Sequence, residues 1–380
     1  MKSTRRFTLT SLAFAGAFSA LAGIAPTAFA HSDDNEGLRS GMVFTSSNEQ
    51  SGNELLVYAR SRSGTLTLHA HAATGGQGSG AGLGSQGAVT LSGDGRYVFV
   101  VNAQSNSIST FELRGHDLHL SSMVSSGGLH PISVTESDGI VYVVNDAGNG
   151  NVAGFRNVHG DLKPIAGSIR GLSVAGGAGP GQVGLSDDGD ALVVTEKATN
   201  HLTSYRVKSD GSLGAAIITT SSGQTPFALA FNRRNRLLVT EAVGGAAVAS
   251  TVSSYRFNAS DPARPLIVSA SVPDTQSAAC WVAITPNGRY AYVTNTGSSS
   301  VSSYRVANNG QIELVSAVAG QTGAGSAPAD VAISTDGRHL VVRNGRTFTI
   351  SSFSVDGDGS ISAESTLTGL PATAVGIAAN

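Results

Sequence analysis

Three features of the sequence predict an all-β chain closed into a ring of seven four-stranded antiparallel blades. The first is a recurring phrase, S-x-D/N-G-x-x-x-V/L-x-V-T/V-N/E, whose copies end at Asn102, Asn145, Glu196, Glu241, Asn295 and Asn344, with a fainter one around Asn53. The second is its spacing of roughly fifty residues, which is the length of one supersecondary unit in a repeat fold with several strands per unit. The third is composition. Only 13% of residues are charged and 48 of 380 are glycine, which suits short strands and tight turns and leaves little for surface helices.

The unit ending near Val318 shows how one blade is written. Ala279 to Thr285 is an apolar strand a, and Pro286-Asn287-Gly288 supplies a tight turn in which Asn and Gly tolerate positive φ. Arg289 to Asn295 alternates as strand b, Val301 to Val306 is strand c, and Asn308-Asn309-Gly310 leads into strand d from Gln311 to Val318. Four strands in about 49 residues make one propeller blade. Seven units need on the order of 340 residues, and residues 41–380 supply that length. Gly41 to His71 provides strands b, c and d without a preceding a, and Pro371-Ala372-Thr373-Ala374-Val375 onward resembles the strand a at Pro328. The C-terminal strand is therefore expected to complete the first blade and hide two strand edges.

Residues 1–30 read as a signal peptide. Lys2, Arg5 and Arg6 precede an uncharged apolar run from Leu9 to Ala25, and Ala28-Phe29-Ala30 offers a cleavage site before His31. The Arg5-Arg6 pair leaves the Sec and twin-arginine routes both open. An uncleaved anchor is the alternative, though the apolar run is short for a span. Residues 31–40 read as a flexible linker and 41–380 as the propeller. No later stretch reaches spanning length, so the expected product is soluble, exported to the periplasm or the medium, and, with its edges hidden, monomeric. A net charge of −2 without basic clusters gives no field for nucleic acid. Lone Cys280, in an apolar strand, reads as a buried inert thiol.

Antiparallel order sorts the loops by face. The a–b turns lie on one side, and the b–c loops and d–a connections lie on the other. The second face is expected to collect Asn102, Asn145 with Asp146, Glu196 with Lys197, Glu241, Asn295 and Arg343 around a central opening, together with Gln86, His130 and Gln182. Convergent polar groups at a channel mouth form the default ligand site. For each Asn an Asx-turn role competes with that reading; for Glu196 and Glu241 it competes less.

Other motifs are weaker. Gly82-Leu83-Gly84-Ser85-Gln86-Gly87 matches G-x-G-x-x-G, but a loop precedes it and a strand follows, the reverse of a dinucleotide site. A flexible loop over the mouth is expected instead. His69 and His71 share a strand face without a third metal ligand nearby in sequence, and His116 and His119 flank a c–d turn. Asp187-Asp188-Gly189 and Asp356-Gly357-Asp358-Gly359 read as hairpin turns. No G-x-S-x-G elbow occurs, and neither a metal nor a cofactor is expected.

The phrase TPNGRYAYVTNTGSSSVSSYRV is similar to the YVTN-type repeat, and residues 41–380 resemble the seven-bladed propeller lactonase family, which includes 6-phosphogluconolactonases and carboxy-muconate cyclases. The resemblance implies opening or closing of a lactone ring without a metal. A family motif G-P-R-H meets Gly179-Pro180-Gly181-Gln182 here, so Arg and His are replaced, while Glu196 matches the family glutamate. His130 matches the first histidine of P-H-A-H-S-V, and Ile132 replaces the second. Ala283 and Thr296 stand where a further His and Arg occur in the family.

On this reading Glu196 or His130 serves as base, and Lys197 or Arg343 stabilises developing charge. Gln86, Gln182, Glu241, Asn102, Asn145 and Asn295 bind substrate. The loss of anion-binding arginines points to an uncharged or weakly charged cyclic ester rather than a phosphorylated one. The competing reading is a non-catalytic ring that binds a ligand, glycan or protein on its loop-rich face.

Overall fold

The computed structural model describes residues 39–115, 117–258 and 260–380. The expected signal peptide and most of the linker lie outside the described residues, as does His116. Seven antiparallel sheets follow one another around an axis. The strand a of each sheet packs against strand a of the next, and the seven close into a ring. Among the described residues no helix is long and apolar enough to cross a membrane.

The blade written out above folds close to its sequence boundaries. Its strands are Ala279–Ile284, Tyr290–Asn295, Ser300–Val306 and Ile312–Gln321. The turn motif explains the phrase that repeats. In S-x-D-G the first serine hydroxyl donates to the aspartate, Ser92 to Asp94 at 2.6 Å, and the Arg96 N–H donates to the same carboxylate at 3.0 Å. Ser186–Asp188, Thr285–Asn287 and Ser334–Asp336 repeat the pattern. The glycine that follows takes the left-handed conformation, with φ of 71° at Gly95 and 70° at Gly288.

Strands b, such as Tyr97–Asn102 and Tyr290–Asn295, are buried on both faces, and apolar residues of strands b and c fill the gaps between blades. Phe99, Phe111, Tyr205, Tyr255, Tyr304 and Phe353 are fully buried there. The third blade departs from regularity: its outer edge is two short pieces, Asp161–Pro164 and Arg170–Gly171, both paired with Asn151–Val158. Pro164 cannot donate to the ladder, and the chain loops out before rejoining.

Ring closure follows the expected scheme. Val375–Ala379 pairs with Arg39–Ser46, bringing Val43 opposite Ala379 and Phe44 opposite Ala378. The Thr45 hydroxyl donates to the Gly376 carbonyl at 2.6 Å, and the Met42 N–H donates to Asn380 Oδ1 at 2.6 Å. The two ends of the propeller are thus held by backbone and side chain together.

Candidate functional site

The residue that ends the repeat phrase on strand b, at Asn102, Asn145, Glu196, Glu241 and Asn295, turns into the blades. It faces the start of strand c and the preceding d–a connection. Asn102 accepts from Asn53 Nδ2 at 2.9 Å and from Thr74 Oγ1 at 2.7 Å, and donates to Ser109 at 2.8 Å. Asn145 donates to Ser126 O and Asn151; Asn295 donates to Ser300 and Ser302. Glu196 accepts from the Ser173 N–H at 2.9 Å, from Thr199 Oγ1 at 2.8 Å and from the Ser173 hydroxyl. Glu241 accepts from the Gly223 N–H at 2.8 Å, Ser253 Oγ at 2.6 Å and Thr251 Oγ1.

All five side chains are fully buried. The expectation that Asn102, Asn145, Glu196, Glu241 and Asn295 point into the mouth is corrected: they staple the b–c loops from inside the blades. The physical reason is strand alternation. Successive side chains on a strand point to opposite faces of the sheet, so the residue after the one that turns into the blade lies on the other face. Asp146, Lys197 and Thr296 hold those following positions.

Arg343 is corrected as well. It is buried, donates to the Ala329 carbonyl at 2.6 Å, and lies beside the fully buried Asp330. Burial pushes the Asp330 carboxyl up to about 7, against the opposing pull of Arg343. Asp330 was missed at the level of sequence, although an acidic residue inside Pro328-Ala329-Asp330-Val331-Ala332-Ile333 is a visible break in an apolar strand.

Gln86 lies inside the ring rather than at its rim. Its Nε2 donates to Val282 O at 3.0 Å, its Oε1 accepts from the Val282 N–H at 3.1 Å, and its own N–H donates to Gly181 O at 3.2 Å. Trp281 Nε1 donates to Ser85 O at 3.0 Å, and Ser85 Oγ donates to Ile132 O at 2.8 Å. The glycine-rich connection expected to cover the mouth therefore enters it and bonds to blades 3, 4, 6 and 7. Two glycines make this path possible. A Cβ on Gly78 would stand 2.1 Å from the Asn48 carbonyl carbon, and Gly87 has φ of 81°. Gly181 faces the same constraint, since a Cβ there would meet Phe227 O at 2.1 Å. The site where the resemblance calls for arginine is closed to any side chain.

What remains around the filled mouth is a cluster on blades 3 and 4. His130, at φ 57°, donates its N–H to Asn106 Oδ1 at 2.7 Å, and its ring Nδ1 lies 2.6 Å from Asp146 Oδ1. Both side chains are about one-third exposed, at 33% and 30%. The hydrogen bond to Asp146 raises the imidazole pKa, against the opposing effect of burial. Lys197 donates to Gly84 O, and its ammonium lies 4.7 Å from the Phe227 ring centroid. Burial lowers its pKa, and the Asp146 charge pulls the other way, so the three groups share one field. The Phe227 and Trp281 rings meet edge to face at 5.0 Å. Of the residues singled out from the sequence, His130 and Lys197 lie in this cluster, and it also contains Phe227 and Trp281, which look like ordinary strand residues.

Gln182 stands on the far side of the plug, its Oε1 accepting from the Leu229 N–H at 2.8 Å. Cys280 is buried and its thiol is pushed up to about 11, an inert state at neutral pH. His71 lies 3.4 Å from Glu54. Among the described residues no three His, Cys, Asp or Glu side chains are placed to hold a metal ion.

Comparison with known proteins agrees with this architecture. The seven-bladed β-propeller lactonase family model matches residues 44–173 and 248–366, well over half of the chain. The chain belongs to that family. The unmatched interval carries Gly181, Gln182 and Glu196. A periplasmic gluconolactonase of Pseudomonas aeruginosa is 19% identical, with a TM-score of 0.65 over 88% of this chain and 98% of that one. A Bacteroides fragilis protein proposed as a 6-phosphogluconolactonase is also 19% identical, with a TM-score of 0.67 over 90% and 98%. A Lactobacillus plantarum protein reaches 0.70 at 16% identity, over 90% and 100%. Such identities establish a shared fold. No curated protein matches the sequence.

Proposed function

We propose that this chain is an exported, metal-independent lactonase-like enzyme that hydrolyses, or in reverse forms, a small uncharged cyclic ester at its loop-rich face. The observation that carries the reading is the His130–Asp146 pair at 2.6 Å beside Lys197, in a propeller of the lactonase family. Asp146 fixes Nδ1 as the proton-bearing nitrogen and leaves Nε2 as the base. Nε2 takes a proton from water, and the oxygen adds to the ester carbonyl. The Lys197 ammonium, with donors to spare beyond the one given to Gly84, stabilises the resulting oxyanion. The ring C–O bond then breaks, and the alkoxide recovers the proton from the imidazolium, giving the hydroxy acid.

An uncharged substrate fits a cluster in which the Lys197 ammonium lies in the field of the Asp146 carboxylate. Export rests on the N-terminal pattern, and N-terminal sequencing of the secreted chain should begin at His31. Closure of the ring supports a monomer, which sedimentation tests. The direct test is a panel of uncharged γ- and δ-lactones offered to the purified chain. Turnover that is lost in His130→Ala supports the reading, and no turnover on any lactone overturns it.

A second reading, a ring that binds a ligand without turnover, draws on one observation: Ser85 and Gln86 already occupy the mouth. Lactone protection of the chain against thermal unfolding, without hydrolysis, would favour it.

A further inference from the structure

The opposite end of the ring carries a cavity that the lactonase reading does not use. Below Gln86, on the a–b turn face, lies a space of about 510 Å³, within the range of small-ligand sites. One wall is apolar, formed by Leu185, Leu229, Ala230 and the partly exposed ring of Phe231. The other wall is polar, with Thr135, Glu136, Asp138, Asp187 and Gln182. A second space of about 410 Å³ runs outward between blades 2 and 3 and shares Gly93, Glu136 and Asp138 with the first. The two form one elongated groove, which ends at Arg96 and His159.

We infer that this groove binds a short neutral saccharide of two or three units. Its polar groups offer both halves of the hydrogen bonds that sugar hydroxyls make. Asp138 and Asp187 accept, and no ion pair engages either among the described residues. Gln182 commits only its Oε1, to Leu229, and so has its amide N–H groups to give. Glu136 takes one backbone N–H on each oxygen, from Gly93 at 2.8 Å and Gly139 at 2.7 Å, which fixes its position. The ring of Phe231 provides a flat apolar surface for the C–H face of a sugar. At the outer end of the groove Asp94 adds an acceptor, and the Arg96 guanidinium sits over the Tyr97 ring at 5.3 Å and pairs with Glu112 at 3.3 Å, so a cation is the competing occupant that the test must separate from a sugar.

Calorimetric titration of the full chain with maltotriose, cellotriose and chitotriose tests this, with spermidine as a cationic probe. At least one trisaccharide should bind with Kd below about 1 mM. The double change Asp138→Ala with Asp187→Ala should weaken it at least about tenfold, as should Phe231→Leu, which keeps an apolar filler while removing the ring. His130→Ala should leave the affinity unchanged, since that residue lies at the other mouth. Binding by none of the three sugars, binding indifferent to the Asp138 and Asp187 changes, or binding of spermidine in their place would overturn the inference.

Discussion

The indole of Trp281 in blade 6 reaches across the ring and donates to the carbonyl of Ser85, at 3.0 Å, in a segment that leaves blade 1. Together with Gln86 it makes the channel mouth a bonded part of the core. The energy of that arrangement is measurable. Trp281→Phe leaves a buried carbonyl without its donor, which costs about 1–3 kcal/mol. Urea denaturation followed by circular dichroism should show the loss, Trp281 being the one tryptophan in the chain. An unchanged midpoint would mean that the plug is loosely held.

Asp330 makes folding pH-dependent in a direction unusual for a carboxylate. Burial raises its folded pKa to about 7, whereas an unfolded aspartate titrates near 3.9. The folded state therefore holds the proton more tightly. The stability this group contributes is fully present below about pH 4 and is lost as pH rises to about 7. Asp330→Asn should flatten that part of the profile, read from denaturation midpoints between pH 4 and pH 8. A slope that survives the change would assign it elsewhere.

His130 works in a different window. Its folded pKa is raised by Asp146, so the contribution of the pair is fully present below the unfolded histidine value of about 6.5 and is lost as pH rises through the folded pKa. The stability gap between wild type and Asp146→Asn should be wide at pH 5.5 and narrow at pH 9. NMR titration of the His130 ring should show its pKa fall in Asp146→Asn. An equal pKa in both proteins would remove the hydrogen bond from the account.

Ring closure predicts a large effect from a short deletion. Removing residues 371–380 uncovers Val43 and Phe44 and leaves the Met42 N–H and the Thr45 hydroxyl without partners. The loss should exceed about 4 kcal/mol, a large share of the stability of a typical domain. A truncated chain that melts with the intact one would contradict the closure.

The fold was legible because the repeat encodes a local device. Ser92, Asp94 and Gly95 make their turn with one another, so the phrase can be read without knowing what packs around it. Closure was legible too, since the terminal strand resembles its counterpart at Pro328. The site was less so. Glu196 and Asn102 look like mouth residues because they end strands on the correct face, and which way a strand-end side chain turns depends on register. Two of the three donors that claim Glu196 come from Ser173, in a connection whose path the sequence does not specify. The entry of Ser85 and Gln86 into the ring is a long-range event with no local signature beyond the glycines that permit it. His130 was singled out through family resemblance and Lys197 through position, and Asp146, adjacent to Asn145, is the partner of His130.

Chemistry at the loop-rich face is expected to depend on His130, whereas Glu196 holds a loop. Side-by-side kcat/KM values for His130→Ala and Glu196→Gln on whichever lactone the wild type turns over test it most directly. His130→Ala should lose about 10²–10⁴-fold, the usual contribution of a general base, with Glu196→Gln within about threefold of wild type. Loss of turnover in Glu196→Gln at unchanged thermal stability, with His130→Ala still active, would contradict it.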